Sequence, residues 1–462
     1  MDSVLATLKA VNHALIERGL VGSIAYRAET SHMVRAGRNQ ISLNVSKKAQ
    51  QYTLVLQKGK RQITAQLTPS QHIGNDLIQL AEALNQQIEA MPEVDYLTDM
   101  QPIAKCAHCF DKVDPRLDEA FDASVLVDLY QQAHWRFQQY NVEISGAFSA
   151  GHYSYALINT LSKEPVCYRG GDYNLEIVLQ LLDHDKKELR AASVGEKLSH
   201  YNRDQLLSCL EKDYSLKIST PRVDIAAGRY DVIFSADAFA EMTAYMAWLT
   251  LSGESYEYQS GMLQKHKHQI GSKIFGDNIT IVDNPEDHDT LFARRVGQNG
   301  QQRNNWTLID KGVLKNQFYS DKNTCDRFKR QVNNDFGCAS LKVQAGDGPG
   351  SFENMVASCI QPTIYIGFIH YMNFTNSSKG EFTGTSRFGT WLIENGEIKA
   401  HLFNLRINDS YHRIFSQVEW LSTHYCHVNT SNTYGMRNAS AITVPSFVKV
   451  NGVGIAGSNA NA

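Results

Sequence analysis

Apolar residues near the start of the chain recur at the spacing of a helix. They lie three or four positions apart, at Val4, Leu8, Val11 and Leu15. Residues at this spacing share one face of an α-helix. Gly19 follows as a suitable end, because glycine adopts the left-handed conformation that closes many helices. The pattern therefore predicts an amphipathic N-terminal helix.

Alternating polar and apolar residues then predict strands. The stretches "GSIAYRAE" and "HMVRAGR" are typical of two short strands, and "QYTLVLQ-KGK-RQITAQL" predicts a hairpin that turns at Gly59. A helix is predicted from about Ser70 to Pro92, and another from Ser124 to Tyr140. The strand patterns "VEISGAFSA" and "HYSYALINT" follow. This mixture indicates an α+β N-terminal region.

The length of the chain indicates more than one domain. A chain of 462 residues is too long to be organised around one hydrophobic core. We predict an N-terminal α+β region over residues 1–220, with a split into two subdomains near 93–121 left open. Residues 221–462 form a predicted C-terminal β-rich domain, because strand patterns and Gly or Asn turns dominate there. One strong helix pattern interrupts them at Ser235–Leu251.

Composition narrows the functional classes. The formal net charge is −3 and the pI is near 6.6, so there is no basic excess to indicate direct nucleic-acid binding. No apolar run approaches the roughly 20 residues of a membrane-spanning helix, and the N-terminus lacks a signal-peptide pattern. The eight cysteines are scattered, which favours reduced thiols. We therefore expect a cytoplasmic protein that binds neither nucleic acid nor membrane.

The strong helix carries a glutamate between two apolar faces. Its predicted N-cap is Ser235. Helical spacing predicts a buried stripe of Phe239, Met242, Met246 and Leu249. Glu241, Tyr245 and Trp248 share another face. From the pattern alone, Glu241 is interpreted as a solvated helix residue, and an acid/base pair with Tyr245 is the alternative.

Several stretches, in a fixed order along the chain, resemble a known family. They include "GRYDVIFSADAFAEM", "SGESYEYQSGMLQKHKHQIGSKIFGDNITIVDNP", "LIDKGVLKNQFYSD", "FTGTSRFGTWLIENGEIKA" and "VKVNGVGIAG", with "HMVRAGRNQIS" near the start. This order resembles the TldD/PmbA family, also called the modulator of DNA gyrase family. The resemblance implies an α+β N-terminal region and a C-terminal, mainly antiparallel β domain with barrel-like curvature and a buried helix.

The family's zinc motif is degenerate in this sequence. TldD-type members are zinc metallopeptidases with His-Glu-x-x-x-His on the corresponding helix, in which the glutamate is the general base for a zinc-bound water. Aligning the glutamates places Ala240 at the first histidine and Tyr245 at the second, while Glu241 is retained. Alanine has no atom that can bind zinc. We therefore expect Glu241 to line a cavity without carrying the chemistry.

Two further departures point in the same direction. The family's cysteine ligand has its nearest counterpart in Cys426, but the flanking residues do not match. The stretch "VGQNGQQ" stands where the family has an Asp-Asp-Glu-Gly sequence. The chain thus resembles the non-catalytic PmbA type, also called TldE, more than the TldD type.

This resemblance implies a scaffold or partner subunit in peptide proteolysis. The expected partners are a TldD-type metallopeptidase or a second copy of the chain, together with a peptide or unfolded polypeptide. No cofactor is expected. Tyr245, Arg387 and Cys426 are the candidates for a peptide cleft, and the arginines Arg294 and Arg295 are further carboxylate-binding candidates. Solvated surface side chains are the alternative for all three arginines.

Two alternatives to the scaffold remain open. The first is an active metallopeptidase with relocated zinc ligands, drawn from His424, Cys426 and His427 together with Glu241. The second is a homo-oligomeric peptide-binding protein without a catalytic partner. A Cys-x-x-Cys pair, Cys106 and Cys109, lacks the second pair that a structural zinc site needs, so free thiols are the plainer interpretation.

Overall fold

The structure is a computed structural model that describes residues 1–103, 110–117, 124–182, 187–431 and 435–458. Its helices over these ranges are α1 (Asp2–Glu17), α2 (Ile73–Gln87), α3 (Ser124–Phe137), α4 (Arg203–Ser219), α5 (Ala236–Thr250), α6 (Gly253–Glu257), α7 (Lys322–Phe328), α8 (Phe352–Ser358) and α9 (Tyr411–Ser416). Short 3-10 turns lie at Ile88–Ala90, Pro115–Leu117, Leu198–His200, Phe336–Cys338 and Ser377–Lys379. Within the described chain, no helix is both long and apolar enough to cross a bilayer.

The N-terminal strands form one mixed sheet. They are β1 (Val21–Gly37), β2 (Gln40–Lys58), β3 (Arg61–Leu67), β4 (Phe110–Lys112), β5 (Val142–Asn159), β6 (Val166–Leu181) and β7 (Lys187–Gly195). The strand order is β3-β2-β1-β5-β6-β4, and β7 also pairs with β6. Only the β4–β6 pairing is parallel among these described strands. The predicted hairpin between β2 and β3 is confirmed, with Gly59 at a φ of 54°.

Two of these strands are longer than the sequence predicted. "GSIAYRAE" and "HMVRAGR" belong to the single strand β1, and "VEISGAFSA" and "HYSYALINT" to β5. Glu29, at the end of the first predicted strand, is buried, and its carboxylate accepts hydrogen bonds from the Ser31 hydroxyl and the Arg437 backbone N–H. Gly151 similarly continues β5, where a Cβ would lie 2.7 Å from the Ser31 Cβ. Long-range partners therefore extend both strands.

Amphipathic helices cover this sheet. The predicted face of α1 is buried at Leu8, Val11 and Leu15, and it packs with α2 against the apolar side chains of β1 and β2. Helices α3 and α4 pack in a second cluster with the side chains of β5, β6 and β7. Helix α4 begins at an Asn202 cap, whose side chain accepts a hydrogen bond from the Gln205 backbone N–H, and it continues to Ser219.

The C-terminal strands form two further sheets. They are β8 (Gly228–Ser235), β9 (Ile281–Asp283), β10 (Trp306–Asp310), β11 (Val313–Leu314), β12 (Leu341–Val343), β13 (Thr363–Ile366), β14 (Ile369–Asn376), β15 (Glu381–Ser386), β16 (Thr390–Glu394), β17 (Glu397–His401), β18 (Leu405–Ser410), β19 (Val418–Leu421), β20 (Tyr425–Asn429), β21 (Ala441–Pro445) and β22 (Phe447–Ser458). One sheet has the order β11-β10-β9-β12-β21-β20. The other has the order β14-β15-β18-β22-β8-β13-β16-β17, with β19 on β22.

The predicted α+β class is confirmed, but the barrel-like curvature is not. Over the described strands, both C-terminal sheets remain open, with β11 and β20 at the edges of one and β14 and β17 at the edges of the other. Closure would require hydrogen bonds between these edge strands. The buried helix is present as α5, which packs in the core between the sheets. The proposed division at residues 220 and 221 stays a prediction.

One expectation about the cysteines is wrong. Cys209, Cys325, Cys338, Cys359 and Cys426 are free thiols, but Cys167 is disulfide-bonded. Sequence spacing could not show this, because folding decides which distant thiols meet. The pair Cys106 and Cys109 lies outside the described residues.

Buried arginines join the first sheet to the C-terminal half. Arg437 lies after β20 and makes a two-point ion pair with Asp172 of β6, at 2.6 and 2.7 Å. Their side chains are only 12% and 5% exposed. The Arg294 guanidinium lies 5.0 and 5.1 Å from the ring centroids of Tyr153 and Tyr168, and it donates a hydrogen bond to the carbonyl oxygen of Ala439 at 2.7 Å. Charges removed from water in this way depend on their partners.

We expect the substitution Arg437→Met to lower the free energy of unfolding by about 3–5 kcal/mol, because it leaves Asp172 charged and buried without its partner. Chemical denaturation of the full chain measures this loss. The matched control is Arg18→Met, since Arg18 pairs with Glu82 at the surface and should contribute less than about 1 kcal/mol. Equal losses in the two variants would contradict this account of the interface.

Candidate functional site

Helix α5 begins with the N-cap that the sequence predicted. The Ser235 hydroxyl accepts a hydrogen bond from the Ala238 backbone N–H at 3.2 Å and donates one to the Gly367 carbonyl oxygen at 2.6 Å. The first bond satisfies an otherwise unpaired N–H of the first turn. The second ties the helix start to the segment after β13. Asp237 occupies the first turn, where a carboxylate suits the helix dipole.

The position of the family's first zinc ligand lies inside the core. Ala240 is 0% exposed. The predicted stripe is also confirmed, because Phe239, Met242, Met246 and Leu249 are all buried. Phe239 packs against Phe415 with ring centroids 5.2 Å apart. The first ligand position is therefore filled by a methyl group that apolar neighbours enclose.

The Glu241 carboxylate is half-buried and unpaired. Within the described residues it has no hydrogen-bond or ion-pair partner. Burial raises the pKa of this carboxyl above its ordinary value. A carboxyl group that has lost water without gaining a partner favours its neutral form. The sequence interpretation of a fully solvated glutamate is thus too simple.

Aromatic rings surround the next turn of the same face. Tyr245, at the second ligand position, meets the ring of Phe374 edge to face with centroids 5.3 Å apart. Phe374 also contacts Trp248 at 5.6 Å and Tyr411 at 6.2 Å. Burial, and then the Glu241 charge, raise the pKa of Tyr245. The surroundings of Glu241 thus disfavour negative charge.

The other residues proposed as zinc ligands do not come together with Glu241. Cys426 lies on β20, half-buried, with its Sγ 3.4 Å from the Ser446 hydroxyl oxygen. Burial raises the pKa of this thiol, and the charge of Asp237 adds to the effect. His424 and His427 are exposed. Among the described residues, no three His, Cys, Asp or Glu side chains are grouped so that they could hold a metal ion.

A cleft of about 1230 Å³ opens at the start of α5. We call it the α4 cleft, because one wall is α4 and the opposite side is formed by α8 and the strands β13, β16 and β17. Its aromatic lining consists of Phe352, Tyr365, Phe368, Phe388 and Trp391. Ser235, the N-cap of α5, and Asp237 in its first turn also line this cleft. The sequence-based analysis missed it, because its walls come from segments far apart in the chain.

Two charged groups of the α4 cleft have different surroundings. Arg190 is engaged, since it bonds to Glu176 at 2.9 Å and to Asp237 at 3.2 Å. Asp213 on α4 has no hydrogen-bond or ion-pair partner in the described part of the chain. Burial raises the pKa of Asp213 to about 6, against the smaller opposing influence of Lys217. The cleft therefore contains a carboxylate, that of Asp213, whose negative charge is only partly offset by a neighbouring cation.

The candidate arginines are already engaged within the protein. The Arg387 guanidinium makes a two-point ion pair with Glu188, at 2.7 and 2.8 Å. A peptide carboxylate would have to displace Glu188, so that role of Arg387 stays a prediction. Arg294 is buried at the interface described above, and Arg295 lies 3.5 Å from Glu286 at the surface.

We expect Glu241→Gln to increase stability at pH 8, because it removes a charge that burial disfavours. Because the pKa of Glu241 is raised on folding, the unfolded chain ionises first as the pH rises, and the native protein loses stability through that range. The gain should vanish near pH 3.5, where both states are protonated. Denaturation at both pH values measures it, with Asp347→Asn, at an exposed carboxylate, as the control. A loss of stability at pH 8 would show that the charge is favourably used.

A family model described as the PmbA/TldA metallopeptidase C-terminal domain matches residues 227–457, half of the chain. In sequence, the chain is 29% identical over 92 residues to an uncharacterized protein of Methanocaldococcus jannaschii. That match covers 20% of this chain and spans only 21% of the length of the other protein.

Solved structures share the fold over nearly the whole chain. TldE from Thermococcus kodakarensis has a TM-score of 0.76 at 16% identity, and the match covers 94% of this chain and 96% of that one. A candidate modulator of a DNA gyrase from Thermotoga maritima MSB8 has a TM-score of 0.79 at 15% identity, with coverage of 97% and 99%. Another from Bacteroides thetaiotaomicron reaches 0.78 at 14%, with 99% of both chains covered. With the family match, these findings show that the chain belongs to the PmbA/TldD family.

Proposed function

We propose that this protein is a PmbA/TldE-type subunit without its own zinc centre, which acts as a scaffold in peptide proteolysis. The observation that carries the proposal is the buried methyl group of Ala240 at the first ligand position. A catalytic zinc site needs three protein ligands and an open position for water. Neither alanine nor the apolar core around it supplies one of them.

The surroundings of Glu241 support the same role. A general base in a zinc peptidase has to be ionised and close to the metal-bound water. In this chain the carboxyl is unpaired in the described structure, and burial favours its neutral form. Tyr245 packs against Phe374, which is a structural use of the second ligand position. On this proposal, Glu241 is retained from the family motif but has no metal-bound water to deprotonate.

The catalytic zinc would come from a partner of the TldD type. The likeness to the fold of TldE from Thermococcus kodakarensis supports this choice. The α4 cleft gives the scaffold a surface on which a peptide can be held, because it is large and has aromatic walls. The net charge of −3 gives no support for direct contact with DNA.

We expect the purified chain alone to leave an unfolded peptide uncut, and a mixture with a TldD-type subunit to cleave it in a chelator-sensitive reaction. Cleavage is followed by mass spectrometry, and complex formation by size-exclusion chromatography. The control mixture contains a partner whose zinc-binding histidine is replaced by alanine, and it should be inactive. Glu241→Gln in this chain should leave the rate of the active mixture unchanged.

Two outcomes would overturn the proposal. Chelator-sensitive cleavage by this chain alone would show an active metallopeptidase with other ligands. The chain could also form a stable homo-oligomer that binds peptide but forms no complex with any TldD-type subunit tested. That result would show a peptide-binding protein without a catalytic partner. Either result would remove the scaffold role, and the chromatographic and cleavage readouts tell them apart.

A further inference from the structure

We propose that the α4 cleft binds an extended peptide through its basic side chains, with the carboxylate of Asp213 as the group that receives an ammonium or guanidinium ion. The inference deepens the proposed function and rests on it only in taking the ligand to be a peptide.

The size of the cleft fits a chain segment better than a metabolite. Pockets for small molecules have volumes of about 300–1,000 Å³. The α4 cleft has about 1230 Å³ and opens to solvent between α4 and α8. At its rim, Lys212 of α4 lies 3.7 Å from Glu353 of α8, and both side chains are more than two-thirds exposed. An exposed pair of this kind contributes little, so it does not hold the cleft shut.

Arg190 provides an internal example of how this cleft holds a cation. Its guanidinium lies 4.6 Å from the ring centroid of Phe368 and bonds to the carboxylates of Glu176 and Asp237. A ring face together with a carboxylate is a favourable site for a guanidinium or ammonium ion. The cleft therefore already uses, for its own arginine, the chemistry that we propose for a ligand.

Asp213 offers the same combination, and in the described chain no cation forms a hydrogen bond or an ion pair with its carboxylate, although Lys217 lies near enough to act on its charge. Its charge acts on Tyr365, which lines the opposite side of the cleft. Tyr365 meets Phe352 of α8 edge to face, with centroids 5.5 Å apart, so aromatic surface borders the space next to this carboxylate. The raised pKa of Asp213 records a burial cost that the charge of Lys217 offsets only in part. A ligand cation would supply that compensation.

The charges of the cleft also argue against an acidic ligand. Among its described lining residues the cations are Arg190 and Lys212, whereas the carboxylates are Glu211, Asp213, Asp237, Glu353 and Glu397. Arg190 is already matched by two carboxylates, and Lys212 pairs with Glu353. Among the described lining residues, the buried cation Arg190 is therefore not available to an anion, and Lys212 is an exposed, weakly paired cation at the rim. The stems of lysine and arginine, in contrast, can pack along the aromatic walls while their charged ends reach Asp213.

Peptide binding to the full chain tests the inference. The probe is a fluorescein-labelled unstructured peptide with spaced Lys and Arg residues, compared by fluorescence anisotropy with versions that carry norleucine or glutamate at those positions. We expect the basic peptide to bind about tenfold more tightly than the norleucine peptide, and the glutamate peptide to bind more weakly still. Equal affinities for the three peptides would overturn the proposal.

Variants then locate the interaction. Asp213→Asn keeps the shape of the side chain and should weaken binding of the basic peptide about tenfold, whereas Asp347→Asn, at an exposed carboxylate outside the cleft, should not change it. Glu353→Lys at the exposed rim is a second variant, which adds repulsion without touching the core and should also weaken binding. Wild-type affinity in Asp213→Asn, with folding verified by circular dichroism, would contradict the assignment.

A polyamine also has ammonium groups that Asp213 could bind, so spermidine is tested as a competing ligand. We expect spermidine to displace the basic peptide only at far higher concentration, because it does not fill the cleft. If spermidine displaced the labelled peptide as effectively as the unlabelled peptide does, the cleft would be assigned to polyamines, and the proposal of a peptide ligand would be overturned. These binding experiments use the isolated chain. The proposed function is tested separately, by cleavage and by complex formation with a TldD-type subunit. A failure of one proposal can therefore be distinguished from a failure of the other.

Discussion

Burial of helix α5 between the C-terminal sheets is the constraint on which the rest of the molecule depends. Small residues on the helix let the strands approach closely, and Ala240 and Ala247 are both fully packed. The Ser235 cap fixes the start of the helix against the strand edge through Gly367. Because the core closes around Ala240, the face that would carry a zinc ligand in a TldD-type enzyme has become part of the hydrophobic core.

The same helix presents two different environments, one turn apart. At its start, Asp237 faces the α4 cleft and pairs with Arg190. Further along, Glu241 and Tyr245 face an aromatic cluster that contains Phe374. A carboxylate at the start is stabilised by a cation and by the helix dipole, while the one in the middle is penalised by burial. Because of this contrast, the α4 cleft beside the first turn is a better candidate for a functional site than the retained Glu241.

The sequence predicts the elements with local signals well. The faces of α1 and α5, the Ser235 cap and the Gly59 turn follow from periodicity and residue type, and the family resemblance identified Ala240 and Tyr245. Local sequence patterns do not predict features that depend on contacts between residues far apart in the chain. The sequence pattern predicted that a strand ends at Glu29, whereas β1 continues through it, and the Glu29 carboxylate is bonded by Arg437, more than 400 positions away. Asp213 gave no signal at all, because its importance comes from a cleft that α4 and β13 create only after folding.

The most direct test of the central claim is the zinc content of the purified chain, expressed with zinc in the medium and measured by inductively coupled plasma mass spectrometry. The account predicts no stoichiometric zinc in the purified chain. One tightly held zinc per chain would contradict it.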